Sequence, residues 1–320
     1  MTFNTQDEFS LKGRVVPMRI DAVLIAGPTA SGKSEAALEL AERIGGALIN
    51  TDSMQVYREA RILTARPDDT LLARGPHLLY GYVSVNDTYS VARFQNDAAA
   101  ALAEVRKSGR VPVFAGGTGL YFQALMEGLA EIPKIPEAVR KQVRAQRETI
   151  GAEAFHGELA ARDADSAARL RVGDTQRVLR AAEVLEATGK PLAHWQNAAG
   201  PAPLAGLNLA RFVLSPPRSE LYRRIDRRFN RMIGEGALEE ARALKGLDPA
   251  LPSAKLLGLR QLWAVLDQTL TLDAAVAAAK TATRQYAKRQ LTWFRHRMAD
   301  WVWIEATETE AVIDTMAQGT

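Results

Sequence analysis

At 320 residues, with 47% hydrophobic and 24% charged residues, the chain has ordinary globular proportions and length for roughly two average domains, which excludes a disordered or fibrous protein. It contains no cysteine, so disulfide frameworks, thiol nucleophiles, iron–sulfur ligation and Cys-based zinc sites are excluded. His77, His156, His194 and His296 lie far apart without HxxxH spacing, and no preformed zinc site is expected. The net charge of +4 is a weak hint of an anionic partner. Neither an apolar run of membrane-spanning length nor the apolar stretch of a signal peptide occurs, so a cytoplasmic protein without a membrane partner is expected.

Residues 1–17 are polar and patternless and are expected to form a flexible tail. Between Asp21 and Gly27 the run Ala-Val-Leu-Ile-Ala predicts a short, buried parallel strand. Ala36, Ala37, Leu40, Ala41 and Ile44 then recur at helical spacing, and Gly45-Gly46 supplies a left-handed stop. Ala47-Leu48-Ile49 predicts a second strand. Ser90 caps a helix running to about Lys107 and closed by Gly109, and residues 111–115 predict a third strand. Strands alternating with helices imply a parallel sheet covered on both faces.

That rhythm breaks at Ile132-Pro133-Lys134-Ile135-Pro136, where two prolines forbid helix continuation. From Glu137 to about Gln196 only helical periodicity is present, punctuated by Gly151, Gly173 and Gly189, and a Pro/Gly/Ala-rich stretch follows over 198–206. Residues 209–214 predict a returning strand and residues 301–304 the last one. The expected organisation is a tail at 1–17, an α/β core built from 18–133 and 208–320, and an all-helical insertion at 134–207.

Gly27-Pro28-Thr29-Ala30-Ser31-Gly32-Lys33-Ser34 matches the phosphate-binding loop Gly-x-x-x-x-Gly-Lys-Ser/Thr, between a predicted strand and a predicted helix as its mechanism requires. The glycines let the backbone wrap an anion, successive N–H groups and the helix N-terminus face it, Lys33 bridges phosphate oxygens, and the Ser34 hydroxyl can hold Mg2+. The loop specifies phosphate but not a reaction. Phosphoryl-transferring relatives of this loop need an acid after an apolar strand to help hold the metal, whereas the strand at 111–115 runs into Gly116-Gly117-Thr118-Gly119. Those three glycines make either a flexible turn or a surface that a ligand can approach closely. The second strand does end in an acid, Asp52, within Asn50-Thr51-Asp52-Ser53-Met54-Gln55. Asp52 and Thr118 are thereby expected beside the phosphate loop at the carboxyl edge of the sheet. A lone Asp after a strand is commonly a turn residue or helix cap; convergence on the phosphate site favours chemistry.

Basic residues gather at helical spacing. Lys280, Arg284 and Lys288 stand at i, i+4 and i+8 in an acid-free span, Arg223, Arg224, Arg227, Arg228 and Arg231 crowd a second segment, Arg140, Lys141, Arg144 and Arg147 a third, and Arg177 and Arg180 share a face of a fourth. One such run is ordinarily a solvated helix face. Four of them around a phosphate-binding core favour a polyanion such as nucleic acid. The spacing of Trp293, Phe294, Trp301 and Trp303 suits core burial rather than base stacking.

With these residues in place, the chain resembles the tRNA dimethylallyltransferase (tRNA isopentenyltransferase) family from about Ile20 onward. The resemblance is carried by GPTASGKS at 27–34, DSMQVY at 52–57, TARP at 64–67, Pro76-His77, GGTGLY at 116–121, QRVLRAAEV at 176–184 and ATRQYAKRQLTWFR at 282–295. It implies a P-loop NTPase-like α/β fold with a helical insertion. It also implies transfer of a dimethylallyl group from dimethylallyl diphosphate to the exocyclic N6 amine of the adenine immediately 3′ of the anticodon, in tRNAs reading codons that begin with U. In that family the loop at 27–34 holds the prenyl diphosphate, with Mg2+ as cofactor; Asp52 maps onto the residue that accepts the amine's proton, and Thr118 and Arg224 onto residues facing the diphosphate. Asp52, Ser53, Met54, Gln55, Thr118, Arg140, Gln176, Arg177 and Arg180, with Arg284, Lys288 and Arg289 of the last basic helix, are expected to contact the tRNA anticodon stem-loop. A monomer is expected. The chain departs from the family pattern at Leu63, where Gly is common before TAKP, and at Gly81, where Asp is common after HxLL. Two other function classes share the loop: a small-molecule or nucleoside kinase, which would need a metal-holding acid near Thr118, and a non-catalytic RNA-binding ATPase, for which Asp52 would be dispensable.

Overall fold

Strand residues of the central sheet alternate between two apolar cores, which is why their sequences are apolar throughout. The computed structural model describes residues 20–196 and 200–318, preceded by the strands β1 (Phe3–Asn4), β2 (Glu8–Leu11) and β3 (Arg14–Pro17). The sheet contains β4 (Ala22–Ala26), β5 (Gly46–Asn50), β6 (His77–Leu78), β7 (Val111–Gly116), β8 (Leu209–Leu214) and β9 (Val302–Ile304), in the order β6-β5-β7-β4-β8-β9 and parallel throughout. Leu24 and Ala26 of β4 face one core with Ile49, Phe114 and Val213. Val23 and Ile25 face the other with Leu48, Val113, Phe212 and Leu214, closed over by Ala37 and Leu40 of the helix Lys33–Arg43. Both faces are therefore covered, as expected for a P-loop NTPase-like sheet.

Parallel pairing places the ends of β4, β5 and β7 on one edge, so the phosphate loop, the Asp52 segment and the Thr118 segment emerge side by side. Two features differ from the sequence expectation. The edge strand β6 has only two residues, too few to register as a pattern. Within the segment expected to be a flexible tail, the described strands β1, β2 and β3 form an antiparallel sheet, with Phe9 opposite Val16. The period-two alternation of Glu8-Phe9-Ser10-Leu11 that accompanies it spans four residues, which is short for a strand signal.

The chain divides into two compact units, Met1–Met126 with Pro203–Thr320, and Glu127–Ala202. The second is all helical. Its helices Glu137–Ile150, Ala152–Arg162, Ala164–Arg169, Thr175–Thr188 and Leu192–Gln196 share a core of Val143, Phe155, Leu159, Val178, Ala181 and Leu185. Gly151 (φ +85°) and Gly189 (φ +68°) break the chain between helices. A further break, at Asp163, has no glycine to announce it; the carboxylate accepts the Ser166 N–H at 3.0 Å and caps the next helix. The unit begins and ends a few residues before the expected 134–207. Leu204 belongs to the larger unit, where its side chain is buried and its N–H donates to Leu125 O at 3.0 Å. Residues 197–199 lie outside the described residues. Among the described residues no helix is long and apolar enough to cross a membrane.

Candidate active site

A cavity of about 560 Å³ opens at the carboxyl edge of the sheet, lined by the whole of 29–34 together with Asp52, Gln55, Thr64 and four arginines, Arg224, Arg227, Arg228 and Arg231. The phosphate loop holds its shape through its own polar groups. The Ser31 N–H donates to Pro28 O at 3.1 Å, the Lys33 ammonium to the same carbonyl at 3.3 Å, and the Thr29 N–H to the Gln290 Oε1 at 2.9 Å. Among the described residues the amides of Ala30, Gly32 and Ser34 have no protein partner, so they are available to an anion at the helix N-terminus. Gly32 adopts φ +94°, a left-handed conformation costly for other residues.

Three cations converge on this loop. Arg224, clamped by Glu220 at 2.8 Å, donates to Ser31 O at 3.0 Å. Arg228, one helical turn later on the same face, donates to the Thr29 hydroxyl at 3.1 Å and to Thr64 O at 3.2 Å. Burial, partly offset by Asp52 and reinforced by Arg231, pushes its guanidinium down to about 10, still charged at neutral pH. Burial likewise pushes the Lys33 ammonium down to about 8, with Asp52 opposing the shift and Arg228 adding to it.

The sign of that shift gives a measurable consequence. Above pH 8 the empty site leaves Lys33 neutral, while a bound dianion favours its charged form. Anion binding above about pH 8 is therefore expected to take up a proton, and affinity to weaken as pH rises through 8. Calorimetric titration with inorganic diphosphate in buffers of different ionisation enthalpy measures this uptake. A buffer-independent heat would contradict it.

Asp52 combines the two roles weighed from the sequence. Its Oδ1 accepts the Met54 N–H at 2.9 Å, and its own N–H donates to the Asn50 side chain at 2.9 Å, so the residue is indeed a turn former. Its Oδ2 accepts no hydrogen bond among the described residues, and the residue lines the cavity. One oxygen is pinned and the other is free. Thr118 holds the neighbouring residue: its hydroxyl accepts the Ser53 N–H at 2.9 Å and donates to Ser53 Oγ at 3.2 Å. Through these bonds Thr118 fixes the loop that carries Asp52.

At the glycines around Thr118 the space a side chain would take is already filled by the protein. A β-carbon at Gly116 would strike the backbone of Thr51, one at Gly117 the Gln290 amide, and one at Gly119 the Trp293 ring. The close approaches are made by the protein itself. Gln55 is buried and spends its amide on Thr64 O and Ala65 O, both at 3.1 Å, so it shapes the cavity wall. The departure at Gly81 is also explained: the residue sits at φ +58° and the Arg66 guanidinium fills the place of a side chain. Leu63 is buried in the larger core, and its N–H, with those of Arg61 and Ile62, is held by the Glu240 carboxylate.

Of the other basic candidates, Lys288 and Arg289 are exposed on the helix Leu272–Arg297, but Arg284 is engaged by both Asp226 carboxylate oxygens, at 2.9 and 3.1 Å. The acid-free span is thus partly neutralised by another helix. Within the helical unit, Gln176 and Arg177 are exposed and Arg177 pairs loosely with Asp174 at 3.5 Å. Arg180 is half-buried, and burial lowers its guanidinium, Glu183 raising it and Arg140 lowering it further. The Arg140 Nε is buried without a partner among the described residues. Gln290 lies within the 282–295 motif and Arg228 within the second basic run, but sequence reasoning gave neither a role of its own; the hydrogen bonds to Thr29 and Gly117, and to Thr29 and Thr64, are what distinguish them.

The comparisons with known proteins agree with this geometry. The family model described as IPP transferase matches residues 55–297, and that described as isopentenyl transferase matches residues 20–76. The chain is 53% identical over 286 residues to the tRNA dimethylallyltransferase of Rhodospirillum centenum, covering 89% of this chain and 91% of that one. It is similar to the crystal structure of the tRNA isopentenylpyrophosphate transferase of Bacillus halodurans (TM-score 0.67, 32% identity, 94% and 97% of the two chains), and to a eukaryotic dimethylallyltransferase acting on tRNA (TM-score 0.77, 25% identity, 90% and 74%). A phosphate loop without a kinase's acid, a carboxylate with one free oxygen, and likeness to these proteins over nine-tenths of its length together show that this chain belongs to the IPP transferase family, the tRNA dimethylallyltransferases.

Proposed function

We propose that the protein transfers a dimethylallyl group from dimethylallyl diphosphate to the N6 amine of the adenine immediately 3′ of the anticodon, in tRNAs reading codons that begin with U. The observation that supports this best is the shared cavity. Lys33, Arg224, Arg228 and the loop amides line it for a diphosphate, and Asp52 brings to it a carboxylate oxygen with no competing donor. An amine conjugated into a purine is a poor nucleophile, so both ends of the displacement need help. Asp52 Oδ2 accepts a proton from the amine as its nitrogen bonds to the prenyl carbon. The carbon–oxygen bond to diphosphate breaks at the same time, and the cations and amides stabilise the departing charge. The Ser34 hydroxyl, exposed on the cavity wall, fits a Mg2+ that arrives with the diphosphate. When bound, that ion neutralises part of the leaving-group charge. A kinase reading lacks its metal-holding acid, since β7 runs into Gly116-Gly117-Thr118.

An adenine in an anticodon loop is stacked and must be extruded to reach Asp52. Arg140, Gln176, Arg177 and Arg180 of the helical unit, and Ser53, Met54, Lys288 and Arg289 of the core, are assigned to holding the RNA. A cytoplasmic monomer is part of this proposal. Replacing Arg140, Arg177 and Arg180 together by Ala is expected to weaken tRNA binding steeply and to flatten its salt dependence, by ~0.7 in slope for each phosphate no longer neutralised. Affinity for dimethylallyl diphosphate should survive, because the phosphate loop lies in the other unit. Titration of labelled tRNA at several salt concentrations checks this; an unaltered slope would return these arginines to a solvated surface. The function itself is tested by following diphosphate release. Release that depends on tRNA is expected, whereas hydrolysis without tRNA, or ATP consumption with a small acceptor, would contradict it.

A further inference from the structure

We propose that Gln290 is a positioning residue for the transfer: resting on the transferase reading of the site, it sets the spacing between the cradle for the leaving diphosphate and the loops that carry the acceptor-side carboxylate. The residue lies on the helix Leu272–Arg297 and is 6% exposed. Its Oε1 accepts the Thr29 N–H at 2.9 Å and its Nε2 donates to Gly117 O at 2.8 Å. The Thr29 N–H can only donate and the Gly117 carbonyl can only accept, so the two partners fix the orientation of the amide.

Where these bonds fall in the sheet gives them their significance. β4 and β7 are paired neighbours, and the Gly27 N–H still reaches Gly116 O at 3.3 Å beyond the end of β4. One step further the two backbones no longer bond to each other among the described residues, and the Gln290 amide continues the link in their place. On the cradle side it holds Thr29, whose hydroxyl receives Arg228. On the other side it holds the segment from which Thr118 grips Ser53, next to Asp52. Gly117 is glycine because the amide occupies the space of a side chain, and that same space lies 3.3 Å from Asp52 Oδ2. A single buried side chain therefore touches both halves of the reaction geometry without entering the cavity, whose lining does not include it.

A displacement reaction depends on the separation and alignment of its two reactants, and a misplacement of about 1 Å costs about 10²-fold in rate. Each substrate, by contrast, is bound by groups on one side of the link. Losing Gln290 should lower the rate at saturation while sparing both affinities.

The test uses Gln290→Met, which keeps the length and removes both hydrogen bonds, and Gln290→Glu, which keeps the acceptor but loses the donor when ionised. Thermal unfolding, the Kd of each substrate and the single-turnover rate at saturation are measured for both variants and for the wild type, whose own activity separates failure of this inference from failure of the transferase reading. Gln290→Met is expected to turn over about 10²-fold more slowly, with both Kd values within about threefold of wild type. Gln290→Glu should recover relative to wild type as pH falls, because the protonated carboxyl again accepts from Thr29 and donates to Gly117. A saturating rate within about threefold of wild type for Gln290→Met overturns the proposal. So do affinity losses that account for the whole defect, and, should Gln290→Met not fold, a Gln290→Glu rate whose ratio to wild type is flat with pH.

Discussion

Asp52→Asn is expected to slow transfer at saturating substrates by about 10²–10⁴-fold while leaving tRNA affinity almost unchanged. The substitution is conservative where it should be: an amide oxygen still accepts the Met54 N–H, so the turn that Asp52 forms after β5 persists. What is lost is the second oxygen, free of donors in the cavity, which becomes an NH2 group unable to accept a proton. Affinity for tRNA is dominated by phosphate contacts, to which one neutralised carboxylate adds little. Single-turnover kinetics beside filter binding separates the two quantities. A rate within about threefold of wild type would show that this carboxylate is not the base.

Lys33→Met is expected to weaken binding of dimethylallyl diphosphate by about 10²-fold, close to 3 kcal/mol at 1.4 kcal/mol per decade, and to leave tRNA affinity intact. Lys33 is buried beside Pro28 O, where methionine fits the aliphatic path but brings no charge. Arg224 and Arg228 remain, which bounds the loss. The proton uptake above pH 8 should vanish in the same variant, since the shifted ammonium is its source. Calorimetry on the variant reads both effects. Unchanged affinity together with unchanged uptake would remove Lys33 from the anion site.

The parallel α/β core was readable because its signals are local and long enough: Ala22–Ala26 is apolar on both faces, and the helix Val91–Lys107 starts at a Ser90 hydroxyl that accepts the Arg93 N–H at 3.2 Å. Elements of two to four residues, β6 and β1 to β3, carry at most two side chains on each face, so any period they show is too short to stand out. Within the site, the phosphate loop and Asp52 were identifiable because chain order places both at strand ends on one sheet edge. The partners of their side chains were not. That Thr118 grips Ser53, that Asp226 holds Arg284 and that Gln290 bonds Gly117 are set by hydrogen bonds spanning 58 to 173 positions of sequence. Motif spacing does not encode such pairings. Gly81 shows the same limit: it departs from the family pattern, yet the Arg66 guanidinium occupies the space it leaves.

The most direct measurement is mass spectrometry of nuclease-digested tRNA after incubation of the purified protein with dimethylallyl diphosphate, Mg2+ and an unmodified tRNA that reads a codon beginning with U. A cradle for diphosphate and a free Asp52 oxygen in one cavity predict a single adenosine carrying one five-carbon prenyl unit on N6, immediately 3′ of the anticodon, with one diphosphate released per modified tRNA. Unmodified tRNA, or a prenyl group at any other nucleotide, would contradict it.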